Sequence, residues 1–595
     1  MRSSSTRPAQ LARRASWAVA IIIPLIFLAA FFVWPVGAMM LRGVFGGIGA
    51  GAAAVGTSGD GFSTIMGNLL ASVRTWRIIW QTLWMAAAGT VFSVVLGVPG
   101  AYVLYCTTFP GRRMVRALSA VPFVLPTVTV GIAFRALLDG PLAFLGLSGT
   151  TTAVVMAMVF FNYSLVVRTV GNVWASLDPR LTQAARTLGA SRARAFFTVT
   201  APEIAPAVFA AASLVFLFCS TAYGIVTTLG TPGYGTIETE IYIQTTTYFA
   251  LDVAAALCVI QFVIVAIALV FSAKLSARSD AALTIRTQAA KPLARSDAFP
   301  LGVVIATSIF IAAPLLTLLL RSFMVDGGWS VTNYALLGTS GAGFSGGATV
   351  WEAVEHSVRI ALDSTLVSLL VGVPLAFVLS RRVDGVLAKA QRALDAFVLF
   401  PLGVSTVTIG FGFLLTFLGT PLGRSAWLVP LAQSVVALPL VVRSIVPLVR
   451  AIDPRLRDAA ATLGAPPWRV LATIDVPFMI RGIGLSAGFA FAVSLGEFGA
   501  TSFLANPNYQ TLPVLIVKLL GRPGEHNYGM ALAGSVILAL ITGVAMMVGE
   551  SLSSNTLSLD AYKTPTRTST GTSTNNSRAA SAGGSYGRNK YGAKC

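Results

Sequence analysis

The sequence predicts an all-α polytopic membrane protein, with about twelve transmembrane helices set as two parallel six-span repeats. Three observations carry that expectation. Hydrophobic residues make up 55% of the 595 and charged residues only 11%, with a mean hydropathy of +0.78; a soluble domain needs roughly a quarter of its residues charged. Long apolar runs, such as WAVAIIIPLIFLAAFFVWPVGAMM from Trp17 and VVIATSIFIAAPLLTLLL from Val303, reach the roughly 18 to 20 residues a helix needs to cross hydrocarbon. Finally, a polar, basic stretch is written twice: DPRLTQAARTLGASRARAFFTVTAP from Asp178 and DPRLRDAAATLGAPPWRVLATIDVP from Asp453.

In chain order, spans are expected near 17–40, 78–105, 115–138, 151–174, 203–229, 249–273, 300–322, 355–380, 393–418, 427–448, 480–504 and 527–550. The first follows a basic N-terminus, 1–16. Its length and the lack of a small-residue cleavage site make it a retained span rather than a signal peptide. With both termini cytoplasmic, about 32 of the 42 Lys and Arg fall on the inner side, the bias expected of cytoplasmic loops. The net charge of +20 therefore reports orientation and does not call for nucleic acid. The first six-span domain is expected over 17–275 and the second over 300–550. A polar cytoplasmic linker, 276–299, joins them. The tail, 551–595, is rich in Ser, Thr, Gly and Asn and is expected to be disordered.

The repeat extends beyond the opening pair. Asp178 and Asp453, Arg180 and Arg455, Gly189 and Gly464, and Pro202 and Pro477 all stand 275 apart. VLGVPGAYVL at 95–104 matches LVGVPLAFVL at 370–379 in that register, and Arg168 matches Arg443; TVTVG at 127–131 matches TVTIG at 406–410 after a four-residue slip. Two halves with even numbers of spans must share one orientation, related by an axis along the membrane normal.

Each repeated loop, 177–202 and 452–477, predicts a helix–turn–helix on the cytoplasmic face. Asp178-Pro179 and Asp453-Pro454 are helix starts, and Gly189 and Gly464 supply the left-handed stop. A second short helix, capped by Ser191 or begun by Pro466-Pro467, is expected to end at Pro202 or Pro477. Ala184-Ala185 and Ala459-Ala460 leave room for another surface, while Leu188, Leu463, Phe197 and Leu471 offer apolar knobs suited to a groove. A solvated basic loop explains one copy; it explains two copies in register less well.

These loops resemble the EAA loop of permease subunits of binding-protein-dependent ABC importers. That pattern has an acid, Ala-Ala, three residues, Gly, and nine residues before Ile-x-Leu-Pro. Here it reads Gln183-Ala184-Ala185…Gly189…Pro202 and Asp458-Ala459-Ala460…Gly464…Pro477, with Gln183 standing where the pattern has its acid. The single chain of two six-span halves is similar to the fused ferric-iron and thiamine permeases. VFFNYSLVVR at 159–168, LGTPGYGTIETEIY at 229–242 and SLGEFGATSFLANPNYQTLP at 494–513 resemble the thiamine branch. GEFG is also similar to molybdate and sulfate permeases. The resemblance implies a non-catalytic permease of the bacterial plasma (inner) membrane, partnered by two ABC ATPase subunits, as a homodimer, and by an extracytoplasmic solute-binding protein. ATP-driven closure of the ATPases would rock the coupling loops and switch access to a path for a small solute, thiamine or ferric iron.

The residues agree on the source of energy. No G-x-x-x-x-G-K-[ST] phosphate loop occurs, so no cofactor is expected on this chain, and ATP belongs to partner subunits. The two histidines, His356 and His526, are far apart, and the cysteines at 106, 219, 258 and 595 are scattered, so no metal site is expected. Glu497 in the eleventh span is a candidate to face a cationic solute, because charge in hydrocarbon is expensive; a local hydrogen bond or pairing with Arg359 explains it equally. Asn162, Tyr223 and Thr227 are candidates for the lining of the path or for interhelical contacts. Glu238 and Glu240 are expected in an outer loop, where they serve docking of a binding protein or, more simply, ordinary solvation. An ion-gradient-driven transporter with parallel six-span repeats is the alternative, and would need paired midplane acids. A membrane enzyme is the third reading, and would need a nucleophile–base or metal constellation.

Overall fold

The computed structural model describes residues 21–45, 62–230, 235–276, 291–341, 347–381, 385–506 and 509–554. Expectations for the N-terminus, most of the linker and nearly all of the tail lie outside these. The chain divides into two units, Met1–Ser553 and Ser554–Cys595. The first unit is helical, as a chain in hydrocarbon must be to satisfy every backbone group internally; among the described residues only two pairs of two-residue strands interrupt it.

The first half contains α1 (Ile21–Arg42), α2 (Val73–Cys106), α3 (Arg112–Val124), α4 (Thr127–Leu138), α5 (Thr151–Ser176), α6 (Pro179–Thr187), α7 (Arg192–Ser220), α8 (Gly224–Leu229), α9 (Ile237–Thr246) and α10 (Leu251–Ser276). The second contains α11 (Arg295–Ser322), α12 (Val350–Ser380), α13 (Val386–Leu399), α14 (Thr406–Phe417), α15 (Leu428–Arg450), α16 (Pro454–Thr462), α17 (Val476–Leu495), α18 (Gly499–Leu504), α19 (Leu512–Leu520) and α20 (Glu525–Ser554). Nine described helices are long and apolar enough to cross a membrane.

Four of the expected spans are broken. The one near 115–138 turns by 110° between α3 and α4, and the one near 393–418 by 94° before α14. Proline explains the first: Leu125 precedes Pro126 and is held extended at ψ 140°, because the proline ring disfavours the helical region for its neighbour. In the second, a tight turn over Phe400–Gly403 carries Pro401, and Ser405 restarts the helix by accepting the Val407 N–H at 3.1 Å. The fifth and eleventh spans stop at Ser220 and Leu495 and resume as α8 and α18.

The loop prolines do the opposite of what their positions predict. Pro202 and Pro477 do not end a helix; the helix that leaves each loop runs on through them into the span. A π turn over Phe196–Thr200, and another over Leu471–Asp475, immediately precedes them. The widened turn accommodates the proline ring and its missing donor without stopping the helix.

The 275-residue register also governs packing. α2, α5 and α7 pack on one another, and α12, α15 and α17 form the matching trio. Gly97 lets α2 approach α5: a Cβ there would fall 2.6 Å from Cγ1 of Val166, as one at Gly372 would fall 2.8 Å from Cγ1 of Val441. The Thr82 hydroxyl accepts the Ile237 N–H at 3.1 Å, and its counterpart Ser357 accepts the Leu512 N–H at 2.7 Å. The first span of each half crosses to the other half. α1 packs on α14, with Phe31 and Phe413 stacked at 6.3 Å, while α11 packs on α4 and α2, with Phe310 edge-on to Phe134 at 5.8 Å. Each half is thus clasped by the other.

Candidate functional site

At the loops, Asp178 accepts the Arg180 N–H at 2.9 Å and Asp453 accepts that of Arg455 at 2.9 Å, starting α6 and α16. Gly189 and Gly464 end them at φ +88° and +80°; the N–H groups of Ala190 and Ala465 reach back to the carbonyls of Ala185 and Ala460 at 3.0 Å each. This geometry pushes the preceding leucines outward. Leu188 and Leu463 are 89% and 88% exposed, beside exposed Gln183, Ala184, Asp458 and Ala459. Ala185 and Ala460 are half-buried, and Pro202 and Pro477 are exposed.

The two loops differ at their roots. In the second half Asp475, 1% exposed, binds Arg381 at 2.7 Å and Arg457 at 2.7 Å, tying α16 to the ends of α12 and α17. The counterparts 275 positions earlier are Thr200, Cys106 and Thr182, and only a 3.4 Å hydroxyl contact joins Thr182 to Thr200. Sequence reasoning missed Asp475; its signal was an acid at the variable position of the Ile-x-Leu-Pro ending.

The second group of residues lies where the halves meet. Tyr223 and Phe498, 275 apart, stack face to face with centroids 5.1 Å apart and planes at 11°. Two equivalent positions in direct contact must lie on the axis relating the halves, so this stack occupies the centre of the seam. Tyr242 lies 5.6 Å from Tyr223, and Phe503 is edge-on to Tyr242 at 5.4 Å. Thr227 is half-buried and its hydroxyl donates to the Tyr223 carbonyl at 2.9 Å. Asn162 donates to the Met158 carbonyl at 2.9 Å and to Cys219 Sγ at 3.4 Å across the α5–α7 contact.

Glu497 lies in the break between α17 and α18. Its carboxylate accepts the N–H groups of Ala500 at 2.7 Å and Thr501 at 3.0 Å, and the Thr501 hydroxyl at 2.6 Å. It thereby caps α18, the local hydrogen-bonding role. The expectation for Glu238 and Glu240 is corrected: neither lies in a solvated loop, because 235–246 fold inward and α9 packs against α10. Glu240 is 6% exposed and pairs with Arg74 at 3.1 Å. Glu238 is fully buried; one carboxylate oxygen accepts the Ser405 hydroxyl of the other half at 2.6 Å, and the other has no hydrogen-bond partner. No sequence signal gave it this place, since its partner lies 167 residues away.

Comparison with known proteins gives these arrangements a context. Residues 97–276 match a family model described as the binding-protein-dependent transport system inner membrane component. The chain is 26% identical over 501 residues to the thiamine transport system permease protein ThiP of Brucella abortus (strain 2308), an alignment covering 80% of this chain and 87% of that one. ThiP of Salmonella typhimurium is 25% identical over 461 residues, covering 75% and 84%. The molybdenum transport system permease protein ModB of Haemophilus influenzae is 34% identical over 207 residues, covering 32% of this chain and 89% of its own.

Proposed function

This chain belongs to the family of binding-protein-dependent transport system inner membrane components, a multi-pass, non-catalytic ABC-importer permease, and from that premise we propose that it carries thiamine. The observation behind this choice is the extent of the likeness. The thiamine permeases align over 461 to 501 residues, more than either half contains, whereas the molybdenum permease aligns over 207. Ferric iron is the other candidate cargo.

In this reading two ATPase subunits dock on the loop tips at Leu188 and Leu463, with both termini on the same cytoplasmic side. A solute-binding protein delivers cargo to the opposite face. The loops act as levers because they are continuous with α7 and α17. α7 runs 29 residues from Arg192 to Ser220, about 43 Å at 1.5 Å per residue. Its far end stops three residues before Tyr223, as α17 stops three before Phe498. Motion at the loops would thus arrive beside the stacked rings, parting or closing them on the axis. Gln183, Ala184, Ala185, Gly189, Asp458, Ala459, Ala460 and Gly464 form the docking surface, and Tyr223 and Thr227 line the path.

The test is uptake of labelled thiamine and of ferric iron by cells lacking the gene, against complemented and energy-depleted cells. Restored, ATP-dependent thiamine uptake is the expected result. Restored iron uptake without thiamine uptake refutes the cargo, and uptake that follows a proton or sodium gradient refutes the energy source.

A further inference from the structure

We propose that Glu238, with the aromatic cluster around Tyr223, recognises the positive charge of the transported ring and so makes the seam selective for a flat organic cation. The inference rests on the thiamine reading, whose thiazolium carries a permanent charge.

Four observations lead to Glu238 rather than to Glu497. First, it is buried inside the span region. The Thr82 contact holds Ile237 nine residues past Val73, about 13 Å along α2, where an ionisable group is a functional candidate by default. Second, it is incompletely satisfied, having one partnerless buried oxygen, whereas Glu497 has three donors from its own helix. Third, Tyr242 stands one turn along α9 from it, on the same face. The ring of Tyr242 meets Tyr223, which meets Phe498 on the axis, so a carboxylate and π faces converge, the combination that binds organic cations. Fourth, its single hydrogen bond comes from Ser405, across the seam.

That last contact makes recognition depend on state. With the halves together, Ser405 occupies one carboxylate oxygen and the rings stack on each other. When the halves part, the Ser405 bond breaks and the rings separate. Both oxygens and two aromatic faces then become available to a cationic ring between them. Closing restores the serine bond and displaces the cargo. An oxyanion would be repelled at the same place.

The experiment uses the permease assembled with its ATPases and binding protein in liposomes, measuring thiamine accumulated per ATP hydrolysed. Glu238→Gln should lower that ratio at least tenfold while hydrolysis stimulated by thiamine-loaded binding protein stays within twofold of wild type; Glu238→Asp should recover most of the loss. Glu240→Gln, which removes the outer pair with Arg74, should leave the ratio unchanged. A second measurement needs no variant: in the wild-type complex trapped outward-open with vanadate, saturating thiamine should protect Glu238 from an apolar carbodiimide, and molybdate should not. An unchanged ratio in Glu238→Gln, an equal loss in Glu240→Gln, or labelling of Glu238 that thiamine does not reduce overturns the inference. A wild-type complex that moves no thiamine instead removes the cargo reading beneath it.

Discussion

The buried carboxylate of Asp475 makes the two coupling loops mechanically unequal. Asp475→Asn tests this, because it preserves shape and one acceptor oxygen while removing the charge that holds Arg381 and Arg457. Breaking a buried ion pair costs about 3–5 kcal/mol, since the remaining charge is left uncompensated. Here the guanidiniums are 28% and 21% exposed and the amide still accepts one bond, which lowers the cost to about 2–3 kcal/mol. At about 1.4 kcal/mol per tenfold, opening of the second loop becomes roughly 30- to 150-fold more frequent. The equivalent change in the first half, Thr200→Val, removes only the 3.4 Å contact with Thr182, about 0.5 kcal/mol and roughly a twofold effect. Hydrogen exchange of the loop amides in the purified complex measures both. Asp475→Asn should accelerate exchange over 455–470 by that factor and leave 180–195 unchanged. Equal exchange in mutant and wild type, or equal acceleration in both loops, would refute the argument.

Single contacts yield the other predictions. Leu463→Glu alters a side chain that is 88% exposed, so the melting temperature of the isolated permease should hardly move, within about 0.5 kcal/mol, while copurification of the ATPase should be lost; Leu188→Glu should do the same. This pair is a cleaner probe of docking than Gly464, where φ +80° would add backbone strain to any substitution. Gly410→Ala places a Cβ 2.5 Å from the Cα and 2.8 Å from the carbonyl oxygen of Ala500, forcing α14 and α18 apart at a cost of about 3 kcal/mol. Gly67→Ala, inside the short helix Phe62–Ala71 with nothing within 4 Å of its Cβ, should instead stabilise by about 0.5–1 kcal/mol. Thermal unfolding of both variants would show the contrast, and similar shifts would refute it.

Much of the fold was legible because its causes are local or repeated. Apolar length gave the unbroken spans, Asp-Pro and Gly gave the bounds of α6 and α16, and a constant spacing of 275 paired residues that prove to occupy matching places, such as Thr82 with Ser357 and Val166 with Val441. Local reasoning failed where one residue type supports two outcomes. Pro126 breaks a span and Pro202 does not, because a π turn precedes the latter; nothing in the residues beside a proline announces that turn. Glu497 is another such residue, and the structure shows it bonded three times to α18.

The sequence by itself determined that this chain lies in a membrane, that it is doubled, and that each half presents a capped, leucine-tipped loop. These follow from solvent preference and from hydrogen bonds spanning two to five residues. Tertiary structure alone decided which first span clasps which half, that Tyr223 meets Phe498, that Asp475 gathers two arginines, and that Glu238 is buried with Ser405. Those contacts join residues from 18 to 382 positions apart. The physical reason is that a side chain's chemistry is written in the sequence, whereas its surroundings are set by which distant helices pack against it.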